Sequence, residues 1–171
     1  SKVVNLTIGH YDGGYQAGQY ARELGHTKAL CLADNDLCMD KERMDGFRVA
    51  FAPGKALFWQ IPALQKERSA YYAEHFRGFL NLHSTVVFAA SDFYALDFMR
   101  FLQTIGFDDT AASRESVPTL TTVHQDAAQR AKTALACLEA MRSGRECEAQ
   151  IVLPVTLIPR ESTRKMPCRT L

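Results

Sequence analysis

Hydrophobic and polar positions change their period sharply near the middle of the chain, at Ser91 and Asp92. Residues 85–90 form an apolar run, which is typical of a strand covered on both faces in a parallel sheet. Beyond the break, apolar residues recur at helical spacing from Phe93 to Leu102. Polar side chains at such a junction lie beyond the carboxyl end of a strand, where open α/β folds bind ligands. The alternative is that one of them only caps the helix, since Ser and Asp favour N-cap positions.

The same alternation of strand and helix patterns runs through most of the chain and predicts a parallel sheet with right-handed crossovers. The Gly-rich loop before the first helix favours Asp12 as its N-cap. A proline makes the third apolar segment an edge strand or an extended loop, and another places the last strand at an edge or a crossing point. The predicted strands cover residues 3–8, 29–33, 57–62, 85–90, 118–125 and 151–158. The predicted helices cover residues 15–24, 41–51, 69–82, 93–102 and 127–143.

One interval breaks this alternation. Residues 105–110 resemble the end of a strand and its polar loop, but a helix that continues to Leu102 leaves almost no residues for the strand. We therefore expect a strand to be missing before Ile105.

Composition narrows the classes of protein without naming one. The 171 residues carry 20 Lys and Arg against 19 Asp and Glu, and there is no basic run. The sequence therefore does not predict a DNA-binding surface on this chain. Five cysteines without a CxxC pair argue against a disulfide framework and fit a reducing cytosol. No apolar run approaches a membrane span, so we expect a cytoplasmic protein. Phosphate-loop and EF-hand spacings are absent, and neither a cofactor nor a metal is expected.

Several short motifs together resemble the effector-binding domain of the LacI/GalR family of bacterial transcription regulators. Each motif is weak alone, but their order and spacing extend across nearly the whole chain. The motifs are the segments 12–18 (DGGYQAG), 23–28 (ELGHTK), 43–47 (RMDGF), 91–96 (SDFYAL), 105–110 (IGFDDT), 118–125 (PTLTTVHQ) and 153–163 (LPVTLIPREST). The resemblance implies a periplasmic-binding-protein-like fold, in which two doubly wound α/β subdomains close on a small molecule.

The resemblance also implies a set of effector-binding residues. The family's RxxGF arginine falls on Arg43, its polar residue after the strand falls on Ser91 beside Asp92, and the first aspartate of its G-(F/Y)-D-D pattern falls on Asp108. An arginine fork and carboxylates on the rim of an apolar cleft suit a sugar, whose hydroxyls need paired donors and acceptors. A sugar or sugar derivative is therefore the expected effector.

By the same resemblance, the chain divides into three parts. Residues 1–118 correspond to the C-terminal subdomain, residues 119–145 supply a helical segment of the N-terminal subdomain, and residues 146–171 form the returning strand and tail. The family's helix-turn-helix, hinge helix and first N-terminal segments would precede Ser1. We expect a homodimer that reaches operator DNA only through that head, and weak or no sugar binding by these residues alone.

Two other functions remain as alternatives. A solute-binding protein of a sugar transporter shares the architecture, although the free cysteines argue against it. An enzyme using Asp92 and Asp108 as paired acids with His124 is the other alternative, but no nucleophile elbow or metal cluster supports it. The sequence therefore favours a regulator without catalytic residues.

Overall fold

Eight strands alternate with six helices among the residues that the computed structural model describes, which are 4–34, 37–99, 104–146 and 148–165. The strands are β1 (Asn5–Ile8), β2 (Lys28–Ala33), β3 (Lys55–Gln60), β4 (Val86–Ala89), β5 (Thr104–Asp108), β6 (Thr121–Gln125), β7 (Gln150–Leu153) and β8 (Val155–Ile158). The helices are α1 (His10–Glu23), α2 (Cys38–Phe51), α3 (Gln65–Asn81), α4 (Asp92–Phe98), α5 (Ala111–Glu115) and α6 (Ala127–Arg142).

Six of the strands form one sheet in the order β3-β2-β4-β5-β6-β8. All neighbours in it are parallel except β6 and β8, which are antiparallel. The apolar runs of β2 and β4 are buried, as expected for central strands covered by helices on both faces. The predicted α/β class and parallel sheet are confirmed, as is the edge position of β3.

The junction at Ser91 is a strand-to-helix turn, as the change of period predicts. β4 ends at Ala89, and the Ser91 Oγ accepts a hydrogen bond from the backbone N–H of Phe93 at 3.3 Å. Ser91 is therefore the N-cap of α4, so the structural alternative for this residue is confirmed.

The strand that seemed to be missing before Ile105 is present, so that expectation was wrong. β5 begins at Thr104 and pairs with β4 through Phe88 and Ile105 and with β6 through Phe107 and Val123. The error came from extending the helix to Leu102, which lies outside the described residues, whereas α4 ends at Phe98. Apolar spacing alone does not fix where a helix ends, because apolar residues after its last turn can also be buried.

Pro154 separates two strands where the sequence predicts one interrupted strand. β7, before it, pairs in parallel with β1 in a separate two-stranded sheet, while β8, after it, pairs with β6 in the large sheet. Proline has no N–H to donate to a ladder, and the chain changes sheets at this residue. The predicted crossing point is confirmed.

The helix α6 stands apart from the core. Cys137 is the one residue of this helix that is buried, and the side chains of Leu135 and Leu138 are 61% and 57% exposed. Within the predicted segment 119–145, the strand β6 belongs to the large sheet, and α6 follows it. The division into subdomains at residues 118 and 145 stays a prediction.

Helices α1 and α2 approach each other so closely that glycine is required at the contact. A Cβ on Gly14 would clash with the carbonyl oxygen of Arg43, and a Cβ on Gly46 would clash with that of Tyr11. The helix α1 begins at His10 with Gly9 as its N-cap, so the prediction of Asp12 as the N-cap was wrong. The glycines after Asp12 look like loop residues in the sequence, but they lie inside the helix. A Cβ on Gly14 would meet the backbone of α2, and a Cβ on Gly13 would meet the ring of Phe107. This contact brings the starts of α1 and α2 together.

Candidate ligand-binding site

A cavity of about 870 Å³ lies where the ends of several strands meet the starts of three helices. Its walls come from the ends of β1, β5 and β6, from the starts of α1, α2 and α6, and from β7. Such a volume is in the range of small-molecule sites. The polar residues that line it include His10, Asp12, Glu42, Arg43, Asp108, Gln125, Asp126 and Arg130.

Arg43, in the second turn of α2, is buried and held on three sides. Its Nη1 donates to the carbonyl oxygen of Ala90 at 2.5 Å, and its Nε donates to Nδ1 of His10 at 3.1 Å. The guanidinium carbon lies 3.8 Å from the centroid of the Phe107 ring, a cation–π arrangement. Its Nη2 lies 3.5 Å from Oδ1 of Asp108. Burial lowers the pKa of Arg43, and the charge of Asp108 opposes that change. The group remains a cation at neutral pH because an arginine pKa starts so high.

Asp108 is the acceptor at the centre of the site. It ends β5 with a positive φ of 115°, a conformation that Asp tolerates better than most residues. Its Oδ1 accepts a hydrogen bond from Nε2 of Gln125 at 2.5 Å, and its Oδ2 accepts one from Oγ of Ser91 at 3.2 Å. Burial raises the pKa of Asp108 to about 6, while the charge of Arg43 opposes the rise. Near neutral pH, Asp108 is therefore a mainly ionised acceptor with its position fixed from three sides.

Ser91 supports this acceptor in addition to capping α4. Its hydroxyl accepts from Phe93 and donates to Asp108, so it joins the start of α4 to the end of β5. Arg43 and Asp108 line the cavity, whereas Ser91 stands behind Asp108. The structure thus brings three of the four predicted residues into one hydrogen-bonded cluster.

Asp92, the fourth predicted residue, turns into the protein instead. It is fully buried and accepts hydrogen bonds from the backbone N–H of Thr110 at 2.8 Å, the Thr110 hydroxyl at 3.2 Å and the Thr122 hydroxyl at 2.5 Å. A Cβ on Gly106 would clash with its Oδ1, so glycine makes room for this carboxylate. Burial raises the pKa of Asp92, and the hydrogen bonds from Thr122 and Thr110 oppose that rise. Its contacts fix the loop that follows Asp108.

Among the polar cavity residues that sequence reasoning missed, Gln125 contacts Asp108 and His10 contacts Arg43. Gln125 is the last residue of β6, and the rule that ligands bind beyond the carboxyl ends of strands, which was applied to Ser91 and Asp92, would also have pointed to Gln125. His10 follows β1 directly, but its position in a Gly-rich segment suggested a loop. The contact with Arg43 depends on the close packing of α1 and α2, which no local pattern reveals.

The three residues named for an enzymatic alternative do not form one group. Nδ1 of His124 lies 2.9 Å from Oδ2 of Asp109, and Asp109 is also bound by Nη2 of Arg160 at 2.5 Å. Asp92 accepts hydrogen bonds from two threonines, and Asp108 accepts hydrogen bonds from Gln125 and Ser91. No carboxylate pair with an attached histidine faces the cavity in the described part of the chain.

A doubly wound sheet with a polar cavity at the carboxyl ends of its strands defines a small-molecule-binding domain. The chain belongs to the family of periplasmic binding protein-like domains, which it matches over residues 19–163. It is 30% identical over 176 residues to the HTH-type transcriptional regulator DegA of Bacillus subtilis, with 92% of this chain and 51% of that protein covered. It is also 30% identical over 155 residues to the HTH-type transcriptional repressor PurR of Vibrio cholerae, covering 82% of this chain and 46% of that protein.

The solved structures agree with this assignment. A LacI family transcriptional regulator from Enterococcus faecalis with bound ribose superposes with a TM-score of 0.83 at 22% identity, over 96% of this chain and 64% of that one. The resemblance to the effector-binding domains of LacI-type regulators, predicted from the motifs, is confirmed. The chain spans about half the length of the curated relatives that it matches.

Within residues 4–34, 37–99, 104–146 and 148–165, no helix combines the length and the apolar character needed to span a bilayer. In the same ranges, no three His, Cys, Asp or Glu side chains are grouped as metal ligands would be.

Proposed function

We propose that this chain forms the effector-sensing part of a LacI-type transcriptional regulator and that its effector is a neutral sugar or sugar derivative. The observation that carries the proposal is the position of Asp108, an ionised acceptor held at the cavity wall by Gln125 and Ser91 beside the Arg43 guanidinium. A sugar hydroxyl can donate to Asp108 while its oxygen accepts from Arg43. Carboxylate and guanidinium groups give strong, charge-assisted hydrogen bonds of this kind.

In the intact protein, effector binding would shift the equilibrium between two arrangements of the subdomains and so change the affinity for operator DNA. We infer that the regulator works as a homodimer in the cytoplasm and has no catalytic activity. The names of the relatives, a transcriptional regulator and a transcriptional repressor, support this role. The exposed Leu135 and Leu138 of α6 support a packing partner for that helix, in the rest of the protein or in a second subunit.

The experiment uses the complete gene product that contains this chain. Isothermal calorimetry measures the binding of neutral pentoses, hexoses and disaccharides, with D-ribose among them, and fluorescence anisotropy measures binding to DNA fragments selected from its genome. We expect at least one sugar to bind and to change the affinity for DNA. A sugar that binds with no DNA binding at all would favour the transporter solute-binding protein.

Asp108→Asn tests the residue that carries the proposal. This change keeps the size of the side chain but removes the charge, so we expect sugar binding to weaken by about tenfold or more. Asp45→Asn is the matched control, because Asp45 lies on the exposed face of α2 and pairs with the exposed Arg48 at 3.0 Å. Equal affinities for the two variants would contradict the assignment of the site.

A further inference from the structure

His10, the first residue of α1, is oriented by Arg43. Nε of Arg43 donates to Nδ1 of His10 at 3.1 Å, and the guanidinium has only donors. Nδ1 of His10 must therefore accept, which means that it carries no proton. The single proton of the neutral ring is then on Nε2, because the hydrogen bond of one ring nitrogen sets the state of the other.

The imidazole of His10 lies at the wall of the cavity. His10 is only 9% exposed, and it lines the cavity together with Arg43 and Asp108. Its ring centroid lies 6.3 Å from that of Phe107, so the imidazole is held between α2 and β5. Nε2 has no hydrogen-bond partner among the residues that the structure describes. The donor is accessible from the cavity, and a ligand that supplies an acceptor can replace the solvent there.

We propose that His10 binds the effector directly, as a neutral Nε2–H donor whose direction is set by Arg43. The inference rests on the proposed function of the cavity. It adds His10 to the effector-binding residues and a hydrogen-bond acceptor to what the effector must carry. The ligand must place an oxygen acceptor, such as a hydroxyl or a carbonyl, against Nε2. A ligand with an ammonium or a methyl group at this position leaves the donor unpaired and is rejected.

The electrostatic surroundings keep the imidazole neutral. Burial and, to a smaller extent, the positive charge of Arg43 together lower the pKa of His10 to about 4. The carboxylates of Asp12, Glu42 and Asp108 also line this cavity, on α1, α2 and β5. The guanidinium is the charged group in direct contact with the ring, so His10 is a donor of fixed tautomer across the physiological pH range.

Two substitutions test the two ring nitrogens of His10 separately. In His10→Asn, the amide oxygen replaces Nδ1 as the acceptor for Arg43, but the donor toward the cavity is lost. In His10→Gln, the longer amide carries an N–H to the position of Nε2, while the acceptor for Arg43 is lost. The sugar that binds most tightly to the complete gene product is measured with both variants by calorimetry, after thermal melting has shown that each variant is folded.

We expect His10→Asn to bind about tenfold more weakly than the native protein and His10→Gln to stay within about threefold of it. The reverse order would show that His10 only orients Arg43, and it would overturn the proposal while the proposed function stands. Native protein that binds no sugar would overturn both. Long-range 1H–15N spectra of the ligand-free protein at pH 7 provide a second test, and any form other than the Nε2–H tautomer would also refute the inference.

Discussion

Gln125 donates a hydrogen bond from Nε2 to Oδ1 of Asp108 over 2.5 Å and thereby joins the last residues of two neighbouring parallel strands, β6 and β5. The two residues are 17 positions apart in the sequence. They meet because the register of the sheet places Asp108 opposite His124, one residue before Gln125. The amide therefore holds the carboxylate in a position that depends on the sheet and not on a flexible loop.

Gln125→Leu should weaken effector binding by about tenfold, because Asp108 loses a hydrogen bond and the apolar side chain replaces a polar wall of the cavity. Calorimetry with the complete gene product measures the change. Gln19→Leu is the control, since Gln19 lies on the exposed face of α1 and its amide donates to the exposed Glu23. An unchanged affinity in Gln125→Leu would mean that Asp108 does not need this support.

The raised pKa of Asp108 predicts a pH-dependent contribution to stability. The folded-state pKa of about 6 lies above the ordinary value of 3.8, so the folded protein holds this proton more tightly than the unfolded chain does. As the pH rises from about 4 to 6, the free energy of unfolding should therefore fall, by on the order of 1–2 kcal/mol for a side chain that is 28% exposed.

Urea unfolding at several pH values between 4 and 7 checks this prediction. In Asp108→Asn the contribution is removed, so the variant should gain stability relative to the native protein as the pH rises over this interval. A native protein that instead gains stability relative to the variant would show that the partners of Asp108 outweigh its burial.

The sequence predicted the sheet better than it predicted the contacts between helices. A buried parallel strand is a short, continuous apolar run, so β2 and β4 could be predicted from composition. Pro154 indicated the point where the chain crosses between the two sheets. The end of α4 and the start of α1 were misjudged, because helix limits depend on what packs beside them. Gly13 and Gly14 look like a turn in the sequence, whereas in the fold Gly13 packs against the Phe107 ring and Gly14 against the backbone of α2.

The candidate site shows the same limit. Motif resemblance located Arg43 and Asp108, which do line the cavity, but it gave no information about which carboxylate faces inward. Asp92 and Asp108 both follow strands in polar segments. Only the structure shows that Asp92 points into the protein, where it lies against Gly106 and accepts hydrogen bonds from Thr110 and Thr122.

Asp92→Asn should destabilise the protein even without ligand, because the amide nitrogen cannot accept the hydrogen bonds that the second carboxylate oxygen receives. Loss of these bonds at a fully buried position should cost about 2 kcal/mol or more in the free energy of unfolding. Chemical unfolding measures the loss, and Asp45→Asn on the exposed face of α2 again serves as the control. A stable Asp92→Asn variant that has lost only sugar binding would instead support the effector contact that the family resemblance implies.

Gly14→Ala tests whether the approach of α1 to α2 builds the site. The added methyl group would clash with the carbonyl oxygen of Arg43, so the helices must separate, and the free energy of unfolding should fall by about 2–3 kcal/mol. Separation also moves Arg43 away from His10, and effector affinity should fall together with stability. Gly78→Ala is the matched control, because its Cβ would meet only the edge of the Trp59 ring at 3.3 Å and alanine favours the helix. If Gly14→Ala is as stable as Gly78→Ala, the contact between α1 and α2 is not what positions Arg43.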